Sequence, residues 1–145
     1  MLDRLDEKLL NVMRKGKGIK PRLTELSQMV GKKRSTVNLR ITKLEEKGIV
    51  VGYKPQVDYK KLGYELTGYI GIICPHESIK GLVEKLKEEK AVYGIWEILA
   101  GSFDILIKCR LKEYDEIRKL HGIITEIEGV RDVDIWLLGP CHKEE

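Results

Sequence analysis

The sequence predicts an α+β chain in two parts, three short helices followed by a β-α-β-β-α-β run. Three observations carry that reading. Apolar residues recur with a helical period through the first third of the chain and then fall into segments of strand length separated by two longer helical stretches. Glycines punctuate the first part at Gly16, Gly18, Gly31 and Gly48, each just after a periodic stretch. Charge divides the same way. Residues 1–50 hold 13 Lys and Arg against 6 Asp and Glu, a net +7, whereas residues 51–145 hold 14 against 17, a net −3.

Each element follows from its residues. Leu5, Leu9, Val12 and Met13 share one face of a first helix; Asp3 is placed to accept from its free amides, and Gly16 and Gly18 end it. Pro21 opens a second helix in which Leu23, Leu26, Met29 and Val30 share a face and Gly31 is the stop. The third runs from about Lys33 to Lys47, with Val37, Ile41 and Leu44 as its buried stripe and Gly48 as its end. Ile49–Lys54 reads as a wing strand, confined to an edge by Pro55. Asp58–Gly63 reads as a single capped helical turn, a hinge.

Beyond the hinge, Leu66–Cys74, Ala91–Leu99, Asp104–Leu111 and Val130–Leu138 are the expected strands. Ser78–Glu89 is a helix with Leu82, Val83 and Leu86 inward, and Lys112–Glu128 is a helix with Tyr114, Ile117, Leu120, Ile124 and Ile127 on one face. The expected domains are 1–52, a wing strand and hinge at 53–64, a second domain at 65–140 and a tail at 141–145. The second domain's order is the split-βαβ, ferredoxin-like arrangement. Two helices cover one face of such a sheet. The other face, with Tyr69, Trp96, Phe103 and Trp136, is expected to be apolar and to need a partner, most simply a second copy packed sheet to sheet.

Several function classes drop out. No apolar run reaches the length of a membrane span, and the acidic, amphipathic Met1–Asp6 is no export signal. Three cysteines make no disulfide framework, so the expected compartment is the reducing cytoplasm. Cys74-Pro75-His76 and Cys141-His142 have the chemistry of zinc ligands. They belong to the ends of the first and last strands, however, which this fold sets antiparallel, roughly 20 Å apart at about 3.3 Å per residue. No metal and no cofactor is expected. Cys109 and His121 read as structural. Neither a nucleophile–base pair nor a phosphate loop is visible.

A short helix, a turn at Gly31 and a second helix make a helix-turn-helix, whose second helix enters the DNA major groove with its N-terminal turns nearest the bases. On a helical wheel, Ser35, Asn38, Leu39, Thr42, Lys43 and Glu46 fall opposite Val37, Ile41 and Leu44. Asn38 suits adenine and Leu39 a thymine methyl. Lys20, Arg22, Lys32, Lys33 and Arg34 surround this face and suit phosphates. The candidate interface with double-stranded DNA is therefore Arg22, Lys32, Lys33, Arg34, Ser35, Thr36, Asn38, Leu39, Arg40, Thr42 and Lys43. A second candidate is the turn Ala100–Asp104. Gly101 permits close backbone approach, Ser102 offers a hydroxyl, and Asp104 either ties down its own backbone or pairs with an ammonium group.

The ordered set Leu5-Asp6-x-Lys8-Leu9-Leu10, Thr24-Glu25-Leu26-x5-Gly31, Ser35-Thr36-Val37-x-x-Arg40-Ile41-x-x-Leu44-Glu45-x-x-Gly48-Ile49-x-x-Gly52-Tyr53, followed by Gly101-Ser102-Phe103-Asp104, resembles the Lrp/AsnC family of transcription regulators. The resemblance covers nearly the whole chain. It implies a winged helix-turn-helix, an effector domain that builds homodimers and higher assemblies such as octamers, and a small amino-acid effector held at Gly101, Ser102, Phe103 and Asp104 between subunits. Two positions depart from the family: Lys33 stands where Ser often caps the recognition helix, and Leu39 where Arg is frequent. Siroheme decarboxylases resemble the same two-domain plan and form the alternative reading. The His and Arg they resemble each other in are missing from Tyr93–Asp104, so an enzyme is not expected.

Overall fold

The computed structural model describes residues 2–144, which form two compact units dividing between Val57 and Asp58. In the first, helix α1 (Arg4–Arg14) starts in a reciprocal cap. Asp3 Oδ1 accepts from the N–H groups of Leu5 and Asp6 at 2.8 and 2.9 Å, and the Asp3 N–H donates to Asp6 Oδ2 at 3.0 Å. Helix α2 (Leu23–Val30) ends on Gly31, left-handed at φ 64°, and α3 (Arg34–Glu46) packs against it. The expected apolar stripes are only partly covered. Val37 is buried and Leu23, Leu26 and Ile41 are half-buried, but Leu5, Leu9, Val12, Met29, Val30 and Leu44 are exposed. Three helices of at most 13 residues bury too little surface to close a core.

The wing departs from expectation. Ile49–Lys54 forms no β ladder, because the described residues of the unit hold no second strand for it to pair with. Instead Ile49 and Val50 donate to the Leu44 carbonyl at 2.9 and 3.1 Å, and the Tyr53 hydroxyl donates to Glu45 Oε1 at 2.8 Å. That hydrogen bond to Glu45 raises the Tyr53 phenol above its ordinary range.

The second unit opens with the expected turn. Asp58 Oδ1 accepts from the Lys60 and Lys61 N–H groups ahead of a 3₁₀ turn at Lys60–Leu62, which ends on Gly63 at φ 87°. Strands β1 (Leu66–Ile73), β2 (Val92–Glu97), β3 (Ile105–Leu111) and β4 (Asp132–Leu137) form one antiparallel sheet in the order β2-β3-β1-β4. Helices α4 (Ile79–Leu86) and α5 (Tyr114–Thr125) cover one face. Ile70, Ile72, Ile105, Ile107, Cys109 and Leu111 of the sheet meet Leu82, Leu86, Leu120 and Ile124 of the helices in a closed core. Burial pushes the Cys109 thiol up. Tyr114, expected inward, is exposed: it is the first residue of α5, ahead of the part of the stripe that meets the core.

The two sheet edges differ. In β4 the N–H groups of Val133 and Ile135 point away from β1, and the preceding carboxylates of Asp132 and Asp134 accept from them, both at 2.9 Å. In β2 the outward N–H groups of Ile95 and Glu97 have no side-chain acceptor among the described residues. No helix among the described residues is long and apolar enough to cross a membrane.

Candidate functional site

Helix α3 presents its candidate residues outward. Arg34, Ser35, Thr36, Asn38, Leu39, Arg40, Thr42 and Lys43 are all exposed, as are Arg22, Lys32 and Lys33 before them. Leu39 is 55% exposed on this outward face. The Thr42 hydroxyl donates back to the Asn38 carbonyl at 2.9 Å, leaving its lone pairs free to accept. Among the described residues, Arg22, Lys32, Lys33, Arg34, Arg40 and Lys43 make no ion pair. Neither Arg22 nor Lys33, at the N-caps of α2 and α3, gives a side-chain hydrogen bond to its helix. A cationic N-terminus opposes the helix dipole, so this arrangement favours an anion near the start of α3.

The β2–β3 hairpin is built differently. Gly101 takes φ 150°, a backbone region that favours glycine. Asp104 is tied to the sheet: its N–H donates to the Ile72 carbonyl at 2.9 Å, its carbonyl accepts from Ile98, and its Oδ2 accepts from the Cys74 N–H at 3.0 Å. Burial pushes the Cys74 thiol up, with the Asp104 carboxylate adding to the effect. Phe103 lies flat over Gly71, where a Cβ would come within 2.7 Å of the ring, and meets Trp136 edge-on with centroids 5.1 Å apart. Ser102 is exposed.

The open face of the sheet is not apolar throughout, as expected, but divided. Trp96, Leu106, Phe103 and Trp136 make an apolar end. Towards the other end Lys108 Nζ lies 5.5 Å from the Tyr69 ring and 5.6 Å from the Tyr93 ring, and pairs with Glu144 at 3.4 Å. Arg110 sits between two rings, its guanidinium carbon 3.4 Å from the Tyr59 centroid and 3.6 Å from that of Tyr93. The alternation of β3, apolar at 105, 107, 109 and 111 and basic at 108 and 110, was the available signal for these cations.

Comparison with known proteins places this geometry. The family described as winged helix-turn-helix DNA-binding matches residues 2–51. The chain is 31% identical over 150 residues to an HTH-type transcriptional regulator of Pyrococcus furiosus, covering all of this chain and 97% of that one. It is 30% identical over 134 residues to the HTH-type transcriptional regulator LrpA of Pyrococcus abyssi, covering 92% and 93%. The chain belongs to the Lrp/AsnC family of transcription regulators. Solved structures share the fold. E. coli AsnC superposes with a TM-score of 0.73 at 22% identity, covering 100% and 97% of the two chains. A transcriptional regulator of Neisseria meningitidis, in complex with L-Met, gives 0.75 at 19%, covering 99% and 94%.

As a Lrp/AsnC regulator the chain has the two-domain α+β fold expected of it, a winged helix-turn-helix followed by the ferredoxin-like sheet. The relatives named are regulators, and the decarboxylase reading gains no support from them. The unfilled cap at Lys33 is the structural counterpart of its departure from the family's Ser.

Proposed function

We propose that this regulator reads double-stranded DNA through α3, with Ser35, Asn38, Leu39 and Thr42 at base edges and Arg22, Lys32, Lys33, Arg34, Thr36, Arg40 and Lys43 along the phosphates. The observation that carries it is the exposed α3 face ringed by cations that have no ion-pair partner among the described residues. Such cations are available to displace condensed counterions, which makes affinity steeply salt-dependent. The site of action is the cytoplasm, where the DNA of such a regulator lies.

A single recognition helix covers one half-site, so a homodimer is part of the reading. The apolar end of the open sheet face and the exposed stripe of α1 are the surfaces that favour it. Two recognition helices then meet half-sites about one helical turn, roughly 34 Å, apart. Higher assembly, such as an octamer, extends the same reading. A small amino acid is the proposed effector, held at Gly101, Ser102, Phe103 and Asp104 and completed by a neighbouring subunit. The L-Met complex of the Neisseria regulator supports this, as do the exposed Ser102 hydroxyl and Oδ1 of Asp104, whose other oxygen is engaged by Cys74.

The test is a salt series of operator binding. Neutralising Arg34 or Lys43 is expected to lower affinity on every sequence and to flatten the slope of log K against log salt by about one unit per lost phosphate contact. Asn38→Ala is expected to relax discrimination at one base pair by about 1–3 kcal/mol and spare nonspecific binding. Unchanged slopes, together with equal loss of specific and nonspecific binding in Asn38→Ala, would remove α3 from the interface.

A further inference from the structure

Resting on the reading of α3 as the helix in the major groove, we infer a second phosphate contact outside the helix-turn-helix: the loop Gly16-Lys17-Gly18, together with Lys54, holds the DNA strand that borders the Asn38 and Glu45 flank of α3. A helix in the major groove has a phosphate strand along each side. At about 100° per residue the two flanks of α3 are unlike. Thr36, Arg40 and Lys47 fall on one, and Asn38 and Glu45 on the other. Beyond Arg34 in the first turn, the second flank holds no cation of its own and turns a carboxylate towards the strand beside it. Charge to hold that strand has to come from elsewhere in the unit.

Tyr53 brings it. Its hydroxyl donates to Glu45 Oε1 at 2.8 Å, which engages that carboxylate and pins the 49–54 segment to the same flank. Its carbonyl packs against Gly16, where a Cβ would stand 3.2 Å from the oxygen, so the loop after α1 meets the segment at this residue. The loop has a set shape. Gly16 and Gly18 are left-handed, at φ 75° and 73°. The Gly16 N–H donates to the Met13 carbonyl at 2.8 Å and the Lys17 N–H to that of Val12 at 3.4 Å, the closure that ends a helix on a left-handed glycine. Lys17 therefore stands exposed at a fixed turn, beside the segment that carries the exposed Lys54. From Lys8 to Thr24 the chain has six cations and no carboxylate, and from Lys47 to Val57 two cations and none. Among the described residues Lys15, Lys17, Lys20 and Lys54 make no ion pair. A fixed patch of one sign without counter-charge matches a polyanion, and the polyanion already at α3 is the DNA backbone.

The experiment pairs a salt series with phosphate-ethylation interference, on the full chain and a duplex that the wild-type protein recovers from a random pool. Lys17→Ala and Lys54→Ala are each expected to flatten the slope of log K against log salt by about one unit. Both should erase interference on one strand of the half-site, and Arg40→Ala on the other. Tyr53→Phe keeps the ring and every charge but frees Glu45, and should weaken the contacts at the phosphates that Lys17→Ala loses. Lys85→Ala, the same loss of charge in the sheet unit, is expected to change neither readout. An unchanged slope and full interference in Lys17→Ala, with Arg40→Ala still losing its strand, would overturn the loop contact and leave α3 standing. No loss in either Arg40→Ala or Asn38→Ala would remove α3 itself, and the loop contact with it. Equal flattening by Lys85→Ala would reduce the effect to net charge and overturn the contact. A lower unfolding midpoint in Lys17→Ala without a change of slope would also overturn it, by making Lys17 a cation that serves the C-terminal dipole of α1.

Discussion

The two units of this chain differ less in apolar content, 21 of 57 residues against 40 of 88, than in how they bury it. In the sheet unit, twelve apolar residues from β1, β3, the two helices and the loops beside them close around one another, nine of them at 0 or 1% exposure in strands and helices alike. Among the described residues of the helical unit Val37 alone is buried, and Leu5 remains 62% exposed on the apolar face of α1. A sheet lets every second side chain meet a helix layer laid across it, whereas three short helices meet only along narrow stripes. The sheet unit therefore closes its own core, whereas the helical unit leaves most of its apolar stripes uncovered.

That contrast can be broken by mutation. The largest effect is expected in the sheet unit: Ile107→Ala removes a fully buried side chain and should cost about 2–5 kcal/mol in denaturant unfolding. A cost below about 1 kcal/mol would mean that the core is not closed. Asp104→Ala comes next. It strands the Cys74 N–H at the junction of β1 and β3, with an expected loss of about 1–3 kcal/mol; an unchanged midpoint would free that carboxylate from its structural duty. Leu5→Ala sharpens the comparison most. As an exposed residue it should change stability by about 0.5 kcal/mol or less. A larger loss that grows with protein concentration would show α1 covered by a second copy in solution.

The smallest effect concerns Tyr53. Its phenol is raised by the hydrogen bond to Glu45, so the folded value lies above the unfolded one. The contact is fully present below the ordinary phenol range and is lost as pH rises through the raised value. Following phenolate absorbance, Glu45→Gln should move one tyrosine back towards its ordinary titration. No movement would detach the 49–54 segment from α3.

Local signals made much of this legible. The Asp3 cap, the left-handed Gly31 and Gly63 and the Asp58 turn are decided within a few residues, and the sequence shows them directly. The strand order follows from the element order because the two-helix cover allows few topologies. What failed was non-local. Ile49–Lys54 has strand-forming residues but no partner strand, and partners are not written in the segment itself. Tyr114 matches the helical period of Ile117 and Leu120 yet lies ahead of the core, since period fixes a face and not where along the helix the cover begins. The Tyr59–Arg110–Tyr93 sandwich joins residues 51 positions apart. It exists only once register and the extra residue between Val92 and Gly94 are known. On α3, the proposed DNA-reading helix, the outward residues were readable, whereas the engagement of Asp104 with Cys74 was not.

The guarded edge of the sheet carries a consequence for growth. Asp132 and Asp134 occupy the outward amides of β4 with their own carboxylates, so a strand arriving there finds two donors taken and two negative charges in its path. Only the β2 edge can add a neighbour by backbone pairing. A molecule with one adhesive edge and one repellent edge can join a single like molecule across a two-fold axis, and both outer borders of that pair are then repellent. Growth by strand addition would therefore stop at two chains rather than run on into a fibre.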